Sequence, residues 1–276
     1  MDKKSLSEIQ TLFWCQSILD TLDLGSIAEF KKLPNLAYEP FKKKYSHLFT
    51  NKDELTKAYE VFCIEPLDPK TWLGYFSGTS PTKKTKGKQS PYDIIGELIP
   101  QTQQAYCNGC FNIINVFTSS YIRDAIRAFA NGVTELYKSK NLDIDVWQSN
   151  LDTGKSELVM NYREIFDSNL ARGNFKFCFD YYVEILNQRS DELGQNISIL
   201  KLMEAYINLN YFGESPKVFS RLLVEGEAVQ LMKEQYNIKP FLWKKTFQVV
   251  SDALLHYEEH KDELFWIEER EKFICE

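Results

Sequence analysis

The chain has 276 residues, 43% of them hydrophobic and 14% aromatic, which is ample for a buried core and excludes wholesale disorder. Twelve glycines and nine prolines are few for an all-β protein with its many tight turns, so long amphipathic stretches make the expectation all-α. The net charge of −6 and a pI near 5.4 argue against a general nucleic-acid binder.

That acidity is local. Ser251 to Glu276 holds nine acidic residues against three basic ones, a net of −6, so the remaining 250 residues sum to zero. A solvated helical face accounts for such a run.

In chain order, Ser5 and Glu8 spell a capping box ahead of an apolar stripe of Ile9, Leu12, Phe13 and Leu19. Gly25-Ser26 ends that stretch and caps a short helix from Ile27 to Lys32. A helix is expected from Glu39 or Pro40 to Leu48, and Asn51 with Glu54 caps another carrying Leu55, Ala58, Tyr59 and Phe62. Pro66, Pro69 and Trp72 to Phe76 form an aromatic turn region. Ser80 to Pro91 then has no large apolar residue and four lysines, the composition of a mobile linker.

The pattern resumes from Tyr92 to Leu98 and stops at Pro100. Pairs of helices follow: Thr102 to Thr118 with Tyr121 to Lys138, Glu157 to Ala171 with Asn174 to Gln188, and Ile197 to Asn210 with Pro216 to Glu225. A polar stretch, Ser139 to Gly154, separates the first two pairs, and a long hairpin from Lys239 to Phe273 closes the chain.

Three segments share a register: Ser120 to Phe129, Gly173 to Leu186 and Gly213 to Leu223. In each, a turn residue is followed five positions later by a small or medium apolar residue (Ala125, Cys178, Val218) and then by an amphipathic helix. Gly173 through Leu186 resembles the turn and second helix of a tetratricopeptide or pentatricopeptide repeat, and the resemblance extends over about residues 101–226. It implies a helical-repeat fold that binds along a surface and does no chemistry itself.

Cys107-Asn108-Gly109-Cys110 and His256-Tyr257-Glu258-Glu259-His260 have the local spacings of a two-Cys, two-His zinc site, although 145 residues separate the halves. Packing cysteines on one helix face, and histidines on a solvated acidic helix, explain both without a metal. His47 stands alone beside Lys44. No nucleophile-and-base motif, phosphate-binding loop or dinucleotide turn is present in the sequence, so the expectation is no enzyme, no cofactor and no small-molecule substrate. No apolar run approaches the roughly 20 residues of a membrane span. The six cysteines mostly sit among apolar neighbours, and no secretory signal precedes the first helix. A reducing intracellular compartment is expected: the cytoplasm, or the mitochondrion if a presequence has been removed.

Two basic features remain: Phe41-Lys42-Lys43-Lys44-Tyr45, and the linker residues Lys83, Lys84, Lys86 and Lys88. Lysines on phosphates with aromatics stacked on bases is how many proteins hold single-stranded nucleic acid. The alternative places Phe41 and Tyr45 in a helix core with the lysines solvated.

The sequence therefore predicts an all-α, α-solenoid-like, irregular stack of antiparallel helical hairpins over 93–276. An N-terminal helical lobe, 1–79, is joined to it by a basic linker, 80–92. The leading expectation is a scaffold or adaptor docking a protein partner in a larger complex, with Trp243 and Trp266 as aromatic anchors. The other is an organellar RNA-binding factor of the pentatricopeptide-like class, acting in transcript maturation or translation.

Overall fold

Some helices in this protein start at side-chain caps, and some stop where the backbone takes a positive φ. The computed structural model describes residues 3–64, 69–77, 90–142, 162–193 and 197–212, which are mostly helical and include no strand. They fall into two compact units, one ending at Gly109 and the other beginning at Cys110.

In the first unit, α1 (Lys3–Thr21) already includes Ser5, which lies inside the helix and not before it. Its residues from Ile9 to Leu19 are buried on nearly every side, including Thr11 and Gln16, as befits a helix at the centre of its unit. Thr11 satisfies its hydroxyl by donating to the Ser7 carbonyl at 2.7 Å. Ser26 caps α2 (Ile27–Phe30), and Asn51 caps α4 (Lys52–Tyr59), its Oδ1 accepting from the Glu54 amide at 2.9 Å. Between them lie a 3₁₀ turn at Leu33–Asn35, α3 (Tyr38–Tyr45) and a second 3₁₀ turn at Ser46–Leu48. The end of α4 widens into a π turn over Glu60–Ile64, which turns Phe62 and Cys63 inward.

Trp72, Tyr75 and Phe76 of α5 (Pro69–Phe76) close the core over α1. The Trp14 and Trp72 rings stack at 5.8 Å, Tyr75 meets Trp14 edge-on at 5.7 Å, and Phe30 meets Trp72 edge-on at 4.7 Å. Such pairs add about 0.5–1.5 kcal/mol each beyond their burial. The aromatic turn region of the sequence is thus a helix that supplies the densest part of the core.

Ser90 opens α6 (Pro91–Leu98) with a full capping box to Asp93 and Pro91 at the first helical position. After α6, α7 (Gln101–Asn108) lies along α1, with Gln101 Nε2 donating to Thr21 Oγ1 at 3.4 Å. Lys57 of α4 pairs with Glu97 of α6 at 2.8 Å. The first unit therefore continues to Gly109. The sequence placed the lobe boundary at 80–92, but Ser90 to Tyr92 open α6; residues 80–89 lie outside the described residues.

The helix expected from Thr102 to Thr118 is two helices. Gly109 (φ 67), Phe111 (φ 51) and Asn112 (φ 63) all have positive φ, which no α-helix tolerates, so α7 stops at Asn108 and α8 (Ile113–Thr118) starts afresh. The second unit is built around α9 (Ile122–Ser139), whose buried stripe of Ile122, Ala125, Ile126, Phe129, Val133 and Leu136 has helical spacing. Helices α8, α11 (Phe175–Gln188) and α13 (Ile197–Ile207) all pack on α9, while α10 (Tyr162–Ala171) packs on α11. A single turn, α12 (Ser190–Leu193), follows α11. A π turn at Asn208–Phe212 ends α13, and the Tyr211 hydroxyl donates to the Ser119 carbonyl at 2.7 Å. That bond satisfies a carbonyl at the end of α8 which has no partner within its own helix.

Three helices finish on the same device. The amide of Leu24 reaches back to the Leu19 carbonyl (2.8 Å), Leu142 to Tyr137 (2.9 Å) and Asn174 to Asn169 (2.9 Å). The left-handed residue each requires is Asp23, Asn141 or Gly173.

Candidate functional site

Of the three register segments, two fall within the described residues. Cys178 is fully buried and its thiol donates to the Phe166 carbonyl of α10 at 3.5 Å, so it sits where two hairpin helices meet. Ala125 is fully buried in α9. A close approach to α9 occurs at Gly132, where an added Cβ would stand 2.2 Å from the Phe111 carbonyl oxygen. The third segment, Gly213 to Leu223, lies outside the described residues.

With α11 fixed by its inner face (Phe175, Cys178, Phe179, Tyr182, Ile185 and Leu186), its outer face presents Phe177, Asp180, Glu184, Asn187 and Gln188. Phe177 is 49% exposed, unusual for so large an apolar side chain. Further along α11, a depression of about 480 Å³ is lined by Asp180, Val183, Glu184, Asn187 and Gln188. Lys176 pairs with Asp180 at 2.9 Å, Glu184 accepts from Gln188 Nε2 at 2.8 Å, and Lys201 of α13 donates to Asn187 Oδ1 at 2.5 Å. The surface carries one exposed aromatic ring and two carboxylates, Asp180 and Glu184, that Lys176 and Gln188 engage.

The basic stretch lies in the first unit. Lys42, Lys43 and Lys44 are exposed on the last turn of α3, whereas Phe41 (0%) and Tyr45 (2%) are core residues whose rings pack at 4.8 Å. Lys44 Nζ lies 5.1 Å from the centre of the Tyr45 ring. Those two rings have no face left for a nucleic-acid base, which removes the stacking arrangement the interleaved sequence suggested. His47 is exposed in the following 3₁₀ turn. Lys83, Lys84, Lys86 and Lys88 lie outside the described residues.

Cys107, exposed in the last turn of α7, and Cys110, half-buried in the next 3₁₀ turn, are not joined in a disulfide. The helix ends between them, so they do not share a helical face, and they straddle the division between the units. Tyr92 Oη lies 4.0 Å from Cys107 Sγ, and burial first, then this thiol, push the Tyr92 phenol up to about 12. Burial also raises the Cys63 and Cys178 thiols to about 11, and the Cys15 thiol well above its ordinary value. Buried thiols of this kind are poor nucleophiles at neutral pH. No group of three or more metal-binding side chains occurs among the described residues. His256, His260, Trp243 and Trp266 lie outside them.

Comparison with known proteins finds no matching family model, no matching curated protein and no matching solved structure. No helix among the described residues is long and apolar enough to cross a membrane.

Sequence reasoning did not single out Phe177. It lies inside the register segment, but periodicity alone assigns an aromatic between two core positions to either side of the helix. Only the packing of α10 and α9 on α11 decides that it points outward.

Proposed function

We propose that this chain is a non-enzymatic scaffold that docks a protein partner on the outer face of α11, within an irregular stack of helical hairpins. The observation that carries the reading is the exposed Phe177, which helical spacing places on the same face of α11 as Asp180 and Glu184. An apolar anchor beside a charged rim is the arrangement of a docking surface. The partner segment it fits carries an apolar side chain for Phe177 and Val183, flanked by a lysine or arginine for Asp180 and Glu184. The packing of α10 on α11, and of α13 on α8 and α9, supports the hairpin reading. The free thiols of Cys15, Cys63 and Cys178 favour a reducing compartment.

A photo-crosslinking amino acid at position 177, in cells expressing the protein, tests the reading. It expects a discrete adduct, lost when Asp180→Lys and Glu184→Lys are added. No adduct, or an adduct indifferent to those charge reversals, removes α11 as the docking face.

A further inference from the structure

Positive charge is concentrated in one stretch of the first unit. Residues 31–52 carry six lysines (Lys31, Lys32, Lys42, Lys43, Lys44 and Lys52) against one carboxylate, Glu39, a net of +5. The whole chain carries −6, so everything outside this stretch sums to −11. All six lysines are exposed, and none is in an ion pair among the described residues.

Folding explains why the lysines point outward. Leu33, Phe41, Tyr45 and Phe49 turn into the core and leave the lysines exposed. It does not explain why there are so many. Cations in the last turn of a helix gain about 0.3–1 kcal/mol from its dipole, which accounts for some of Lys42 to Lys44. Lys52 is the first residue of α4, the end where the same dipole disfavours a cation. Like charges in adjacent positions repel one another, so the stretch carries a penalty that a polyanion would relieve.

We propose that residues 31–52 form a binding face for the phosphate backbone of nucleic acid, one that reads charge and not bases. Lysine is a point-charge partner for phosphate, suited to contacts without fixed geometry. The aromatic side chains that would stack on bases, Phe41 and Tyr45, are in the core. Every large apolar side chain of the stretch is buried or half-buried, which leaves no anchor to insert into a lipid surface. The face lies in the first unit and does not depend on α11 being a docking surface.

The test is a fluorescence-anisotropy titration of the full chain with uridine and adenosine homopolymers, duplex RNA and vesicles of anionic and zwitterionic lipid. If four lysines engage a single strand, affinity falls about 50-fold between about 50 and about 200 mM salt. The two homopolymers bind within about threefold of each other, because stacking, which strengthens binding by about 1–3 kcal/mol per base, is missing. Lys42→Glu, Lys43→Glu and Lys44→Glu together lower affinity at least about 100-fold, and Lys31→Glu with Lys32→Glu lower it by a smaller factor. Unchanged circular dichroism in these variants ties the loss to charge and not to folding. The proposal is overturned by no RNA binding at the lower salt or by binding that survives the triple reversal. A more than tenfold preference between homopolymers, or tighter binding to anionic vesicles than to RNA, overturns it equally.

Discussion

Replacing Gly132 with alanine should destabilise the second unit, although the same change in an ordinary helix interior is favourable. Intrinsic propensity gives alanine about 1 kcal/mol over glycine in a helix. At this position the new Cβ would lie 2.2 Å from the Phe111 carbonyl oxygen and 3.1 Å from Met203 Cε. The oxygen belongs to backbone and cannot rotate away, so α9 and the turn before α8 must separate by close to 1 Å. That turn has little freedom to yield, because Phe111 and Asn112 already hold positive φ, strained for residues with a side chain. Overpacking that moves backbone costs about 1–3 kcal/mol, so the net effect is a loss of up to about 2 kcal/mol after the propensity gain. For a domain of this size the midpoint of thermal unfolding should fall by about 5 °C, read by far-UV circular dichroism. Gly96→Ala is the control: the three atoms nearest its Cβ all belong to the flexible Gln103 side chain, the first at 2.1 Å, and Gln103→Ala removes them. The double variant should be neutral or more stable. A Gly132→Ala protein with a raised midpoint would refute the close approach of α9 to the Phe111 turn.

Two further outcomes follow from the described geometry. Asn51→Ala removes the acceptor for the Glu54 amide and should lower stability by about 1 kcal/mol, visible as a lower urea midpoint with an unchanged slope. Alkaline pH should also weaken the fold. Burial raises Cys63 and Cys178 to about 11, and Tyr92 and Tyr137 to about 12, so the unfolded chain releases these protons first. Their stabilising contribution is complete below the unfolded thiol range, about pH 8.5, and is lost as pH rises toward 12. Tyr137→Phe keeps the ring, removes the hydroxyl that donates to the Ile185 carbonyl at 3.4 Å, and should flatten the decline above about pH 10. A urea midpoint that rises across this window would contradict the burial of these groups.

Much of the helical content was legible because local chemistry dictates it. Asn51 with Glu54, Ser26 after Gly25, and the stripe of Ile122, Ile126 and Phe129 each act within a turn or two of chain. Cys178, singled out as a small residue where helices come close, stands against the α10 backbone. The break at Gly109 was less visible. Only Gly109 is a glycine; Phe111 and Asn112 hold positive φ under the packing of α9, and no local preference of phenylalanine announces that.

By itself, the sequence determined that the described chain is helical, where most helices begin, and which residues are apolar enough to seek a core, because spacing and capping are short-range properties. Tertiary structure decided three things that depend on which helix covers which face. Phe41 and Tyr45 became core and left Lys42 to Lys44 as bare charge, Phe177 was left outside, and α6 and α7 joined the first unit by lying on α4 and α1. A side chain three or four residues from its neighbours in the chain cannot encode the identity of a helix that arrives from eighty residues away, as α7 does on α1 at Gln101 and Thr21.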